Sequence, residues 1–66
     1  MRRLNMIVEA AMNLGDLVRN LNSESGLLGI VTGWKCTKTK TPVVLWADGR
    51  VNWIMPHSVK VVLKNE

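Results

Sequence analysis

Several features that commonly brace or arm a small protein are scarce in this chain. It has one cysteine, Cys36, so no disulfide can form within it, and a lone thiol fits a reducing compartment. One cysteine and one histidine, His57, cannot supply the four ligands of a structural zinc site. No apolar run approaches the ~20 residues that a membrane-spanning helix needs. The start, MRRLNMIVEAAMNLGD, has a basic head, but Glu9 interrupts its short apolar stretch, which argues against a secretory signal. The chain is therefore expected to be cytoplasmic. Repeats, low-complexity tracts and interdomain linkers are absent, and 66 residues allow one domain with a small core. Gly26, Gly29 and Gly33 match neither nucleotide-binding glycine fingerprint.

Acidic residues are also few: nine Lys and Arg against five Asp and Glu give a net charge of +4. A basic balance can point to nucleic acid or acidic partners, although +4 is also what solubility asks of a small domain.

Residues 1–14 lack glycine and proline. In them Leu4, Ile7, Val8, Ala11 and Met12 follow the i, i+3, i+4, i+7, i+8 spacing of one apolar helix face, and Gly15 supplies a stop. The pattern predicts an N-terminal helix or extension over 1–13. A helix this short is marginal alone, so Leu4, Ile7, Val8 and Ala11 become candidate partner-binding residues, docking on this domain, on a second copy or on another protein. Met12 is an alternative start.

From Gly15 onward the texture is β. GDLVRNL reads as a strand opened by a Gly-Asp turn, and NSESG as a polar turn. The β-branched LLGIVTGW reads as a strand bent or bulged at its glycines. KCTKTKT is a basic connection, PVVLWA and RVNWIM flank Asp48-Gly49, PHS is a brief helical turn, and VKVVLK closes the chain. Asp-Gly between two apolar runs is a strong hairpin signal. A two-residue turn would set Ala47 opposite Arg50, Trp46 opposite Val51, Leu45 opposite Asn52, Val44 opposite Trp53 and Val43 opposite Ile54. The expected core face is then Val44, Trp46, Val51 and Trp53, with Met55 beyond; Val43, Leu45, Ala47, Arg50, Asn52 and Ile54 would form a mixed face.

Five short strands in this order resemble the SH3-like barrel over residues 14–64, with GDLVR opening it, GLLGIVTGW as the bent second strand, PVVLWADGRVNW as the central hairpin and PHSVKVV as the turn into the last strand. The resemblance implies a mainly β fold: an SH3-like five-stranded barrel over 14–66 with a short N-terminal amphipathic helix. The same features look like small barrel proteins of tailed bacteriophages, marine and cyanobacterial ones especially. More loosely they are similar to the small barrel subunit found on photosystem I. The phage resemblance implies a virion component or small accessory protein that works by contact, and the looser one an accessory subunit of a redox or photosynthetic complex. The barrel itself hosts many functions.

Catalysis is not expected. His57 and Ser58 are sequence neighbours, not a converging pair with an orienting acid, and they read as turn formers. Lys35 and Lys38 could lower the Cys36 pKa. No metal, cofactor or small-molecule substrate is called for. The basic loop GWKCTKTKTP is the candidate nucleic-acid-binding segment, because Trp34 could stack a base while Lys35, Lys38, Lys40 and Arg50 neutralise phosphates. Trp34 is the tryptophan expected to be most exposed. The leading expectation is a non-enzymatic protein-protein interaction module, oligomeric or part of a larger assembly; a weak nucleic-acid-binding barrel is the second.

Overall fold

The structure, a computed structural model, describes residues 12–65. Five strands form one antiparallel sheet in the order β4-β3-β2-β1-β5: β1 Leu17–Asn20, β2 Leu28–Cys36, β3 Thr41–Trp46, β4 Val51–Trp53 and β5 Val59–Leu63. The first four make a meander. A 3-10 turn, Pro56–Ser58, then sends the chain back so that β5 pairs with β1. The protein is mainly β, as expected, but the sheet is not closed. No ladder joins its edges β4 and β5, because β4 is three residues long and the turn at Pro56, which has no N–H to give, carries the chain away from it. The expected barrel is to that extent corrected to an open sheet. There is no α-helix among the described residues. Met12 and Asn13 are non-helical, and Leu4, Ile7, Val8 and Ala11 lie outside the described residues.

The β1–β2 connection is tied by local polar groups. The Asn22 N–H donates to Asn20 Oδ1 at 2.8 Å, and the Leu27 N–H donates to Ser23 Oγ at 3.3 Å. Strand β2 is long and twice irregular, its register on β3 shifting between Val31 and Gly33 and again between Trp34 and Cys36. Bulges of this kind bend a strand, which lets one sheet wrap a core of Met12, Val18, Val31, Val44, Trp46 and Val59.

The β3–β4 hairpin departs from the expected register by one residue. The Trp46 N–H donates to Arg50 O at 2.8 Å and the Gly49 N–H to Trp46 O at 2.9 Å, so the loop is Ala47-Asp48-Gly49. Gly49 alone of the three takes a positive φ, +92°, as in a three-residue loop with a glycine bulge. Val43 now faces Trp53, Val44 faces Asn52 and Leu45 faces Val51. A one-residue slip moves every side chain of a strand to the other face. Val44 and Trp46 are buried, but Val51 is 59% exposed and Trp53 49% exposed, which corrects the expected core. Asn52, itself exposed, stands instead on the side of Val44, where its Oδ1 accepts from the Trp46 indole N–H at 2.9 Å. Ile54, expected on the mixed face, packs against the core.

Two further contacts fix the buried side. A Cβ on Gly29 would lie 2.5 Å from Val44 Cγ1 and 2.6 Å from Trp46 Cε3, so the core closes only over a residue with no side chain. Asp16 is fully buried, with Oδ2 accepting from the Asn13 N–H at 2.8 Å and from Lys64 Nζ at 3.3 Å. Its Oδ1 accepts from the Asn65 N–H at 2.7 Å. One carboxylate thus ties the entry to β1 to the exit from β5. Burial pushes its pKa up, but the Asn65 and Asn13 N–H groups and Lys64 together outweigh that and hold it below the ordinary carboxylate value.

Candidate contact surface

Strand alternation on a sheet buried on one side should set polar residues on the other. Here the outer face is apolar. The register lines up one row across all five strands: Val51 faces Leu45, Leu45 faces Ile30, Ile30 faces Leu17, and Leu17 faces Leu63. Four of the five are exposed, and only Leu17 is half-buried. At ~4.8 Å between strands the row spans about 19 Å. Leu28 and Trp53, both exposed, widen it along β2 and β4, beside half-buried Val43. A contiguous exposed apolar row makes this face the candidate contact surface.

Charge on this face has one sign. Arg19 faces Leu28 on one side and Lys60 on the other, and Lys35 holds its amine 5.5 Å from the centroid of the Trp53 ring. The arginine stem runs past Gly26, whose φ is +69° and whose place a Cβ would fill 3.3 Å from Arg19 Cδ. The described acids lie elsewhere: Asp16 is buried on Lys64, Asp48 holds Arg50 Nε at 2.9 Å within the hairpin loop, and Glu24 sits in the β1–β2 connection.

The candidate nucleic-acid residues are not brought to one place. Lys40, at φ +55° in the β2–β3 turn, sets its amine 4.7 Å from the Trp34 centroid, but Trp34 is half-buried against the core instead of being the most exposed tryptophan. Lys38 is exposed in the same turn. Arg50 stands at the opposite end of β3, about 17 Å away by strand rise, and is engaged by Asp48. The hairpin register concealed that Trp53 is the exposed ring. The Cys36 thiol, also exposed, is held below the ordinary thiol range by a hydrogen bond to the Thr39 side chain and by the backbone of Thr39 and Lys38, not by lysine charge.

A cleft of about 260 Å³ opens where Asn20 and Leu27 approach Trp46, Asn52 and Ile54. It is lined also by Asp48, Arg50 and Trp53, and several of its polar atoms bond within the protein, Trp46 to Asn52, Asp48 to Arg50 and Asn20 to the Asn22 N–H. The outer face offers the wider apolar area and is the better candidate for contact. No helix among the described residues is long and apolar enough to cross a membrane. Comparison of the chain with protein families, with curated proteins and with solved structures gives no match in any of the three.

Proposed function

We propose that this chain is a non-enzymatic protein-protein interaction module that works through the outer face of its sheet, as a component or accessory of a larger assembly. The observation that carries the reading is the apolar row Val51, Leu45, Ile30, Leu17 and Leu63, which crosses every strand and lies largely open to solvent. A four-strand meander whose fifth strand returns to the first supports treating the fold as SH3-like, an open relative of the closed barrel. The resemblance to small phage proteins supports a bacteriophage virion or accessory role in the host cytoplasm; a redox-complex accessory rests on the looser resemblance alone. The contact is with another protein or with a second copy, and Leu4, Ile7, Val8 and Ala11 are further contact residues.

The test is the solution mass of the full chain beside the chain starting at Met12 and beside an I30D/L45D variant, with NMR shifts followed against concentration. The reading expects a variant more soluble than its parent, and any shift change with concentration to centre on Ile30, Leu45 and Val51. Shifts that avoid the outer face, with a variant no more soluble than its parent, remove that face as the contact surface.

A second reading, weak binding of single-stranded nucleic acid, draws on the lysine amines over Trp34 and Trp53. Retention on a nucleic-acid column that falls with salt supports it, and passage at low salt rejects it.

A further inference from the structure

An interaction surface is defined by its charge as well as its apolar area, and the charge here is not balanced. Two of the three described acids are paired within the chain, buried Asp16 with Lys64 and Asp48, in the exposed hairpin loop, with Arg50. The row itself is bounded by cations. On the β1–β5 side stand Arg19 and Lys60, directly paired and both exposed; on the β4 side stands Lys35, over the Trp53 ring. No acid lies on this face among the described residues.

We infer that the outer face receives an amphipathic, acidic segment of a different protein, its apolar stripe on Ile30, Leu45 and Val51 and its carboxylates on Arg19, Lys60 and Lys35. The inference rests on the outer face being a contact surface. A second copy suits the face less well, since face-to-face pairing would bring two sets of like cations into one interface, where juxtaposed like charges are unfavourable. Residues 1–11 suit it less well for the same reason, since they carry Arg2 and Arg3 against one acid, Glu9. Nucleic acid would use the cations and Trp53 but would leave aliphatic Ile30, Leu45 and Val51 against sugar and phosphate. An anionic bilayer would meet the same apolar area and cations, but it offers nothing shaped to a row set at strand spacing, and it is tested as a rival. A helix with a leucine stripe fringed by glutamates satisfies both features at once.

The full chain is titrated with two fluorescein-labelled 18-residue helical peptides that share a leucine stripe, one fringed by glutamate and the other by lysine. Anionic phosphatidylserine vesicles and a 20-mer oligothymidylate serve as rival ligands. The glutamate peptide is expected to bind at least tenfold more tightly than the lysine peptide and than either rival, with the difference shrinking as salt rises. R19E/K60E, with unchanged circular dichroism, should reverse the peptide preference, and L45D should weaken both. Equal binding of the two peptides, each lost in L45D, overturns the acidic partner while leaving the contact surface standing. Preference for vesicles or oligothymidylate overturns it as well, and so does self-association abolished by L45D. Failure of both peptides to bind, with L45D identical to the parent in every assay, removes the inference and the surface together.

Discussion

Trp46 and Trp53 belong to the two strands of one hairpin and meet opposite fates. Trp46 is 5% exposed, its ring over Gly29 and its indole N–H bonded to Asn52; Trp53 is 49% exposed and carries the Lys35 amine above it. The same contrast divides the whole sheet. The inner face is a small core in which each buried side-chain polar atom has a partner, and the outer face is an apolar row, largely open to solvent, bounded by Arg19, Lys60 and Lys35. Hydrophobic residues on both faces of a sheet have two jobs, and burial tells them apart where composition does not. Inner residues hold the fold; outer ones, in our reading, hold something else.

The sharpest way to break that comparison is to truncate both rings. Trp46→Ala removes a buried side chain at the centre of the core, so it should cost about 3–5 kcal/mol, enough to unfold a domain this small. Trp53→Ala removes a half-solvated ring and should cost about 1 kcal/mol or less. Denaturant melts of the two variants decide the matter, and equal losses would mean that Trp53 is buried and the hairpin register is the two-residue one.

Next in size is the buried carboxylate. Asp16→Asn keeps an acceptor but turns an amide donor on the Asn13 or Asn65 N–H and discharges the pair with Lys64, at a cost of about 2 kcal/mol. The pH dependence follows from the direction of the shift. The folded-state pKa lies below the unfolded value of about 3.9, so the contribution is full above that value and fades as pH falls through the folded one. Thermal melts of the parent should be flat from neutral pH to about 5 and fall below about 4, with a shallower fall in the variant. An acid limb of the same steepness in both would show that Asp16 does not carry it.

Much of this was legible in the sequence. The β-branched runs, the bent glycine-containing strand, the turn residues and the brief helical turn all lie where the residue types put them, because each depends on local chemistry. The hairpin register did not follow, and the reason is specific. Asp-Gly suits a two-residue turn and equally a three-residue loop that needs only its glycine at positive φ. Polar-out alternation would normally arbitrate, but Val43, Val44, Leu45 and Trp46 are apolar on both faces. The one polar residue in the middle of β4, Asn52, sits on the side of Val44, its Oδ1 accepting from the Trp46 indole while the residue stays exposed. The same slip hid the outer face, and the pairing of Arg19 with Lys60 depends on β5 returning to β1, a long-range contact that no local pattern reports.

Gly29→Ala tests the inner face by addition rather than removal. The new methyl would meet Val44, the Trp46 ring and the Leu45 carbonyl oxygen at 2.5 to 2.9 Å, and backbone cannot yield as a side-chain tip can. Overpacking of this kind costs roughly 1–3 kcal/mol, read as a lower denaturant midpoint at unchanged slope. An unaffected midpoint would mean that the ring does not lie over Gly29.

The smallest effect is the most telling for the outer face. Leu45→Thr replaces an exposed leucine, flanked by Ile30 and Val51, with a β-branched polar residue suited to a strand. The change in stability should be within about 0.5 kcal/mol, as for surface substitutions generally. Solubility should rise, because the substitution interrupts the apolar row between Val51 and Ile30. Val44→Thr, one residue earlier, sets a hydroxyl into the closed core and should lower the midpoint by several times as much. If the two threonines cost the same, the faces are not energetically distinct, and Leu45 is part of what holds the fold together rather than part of what the fold presents.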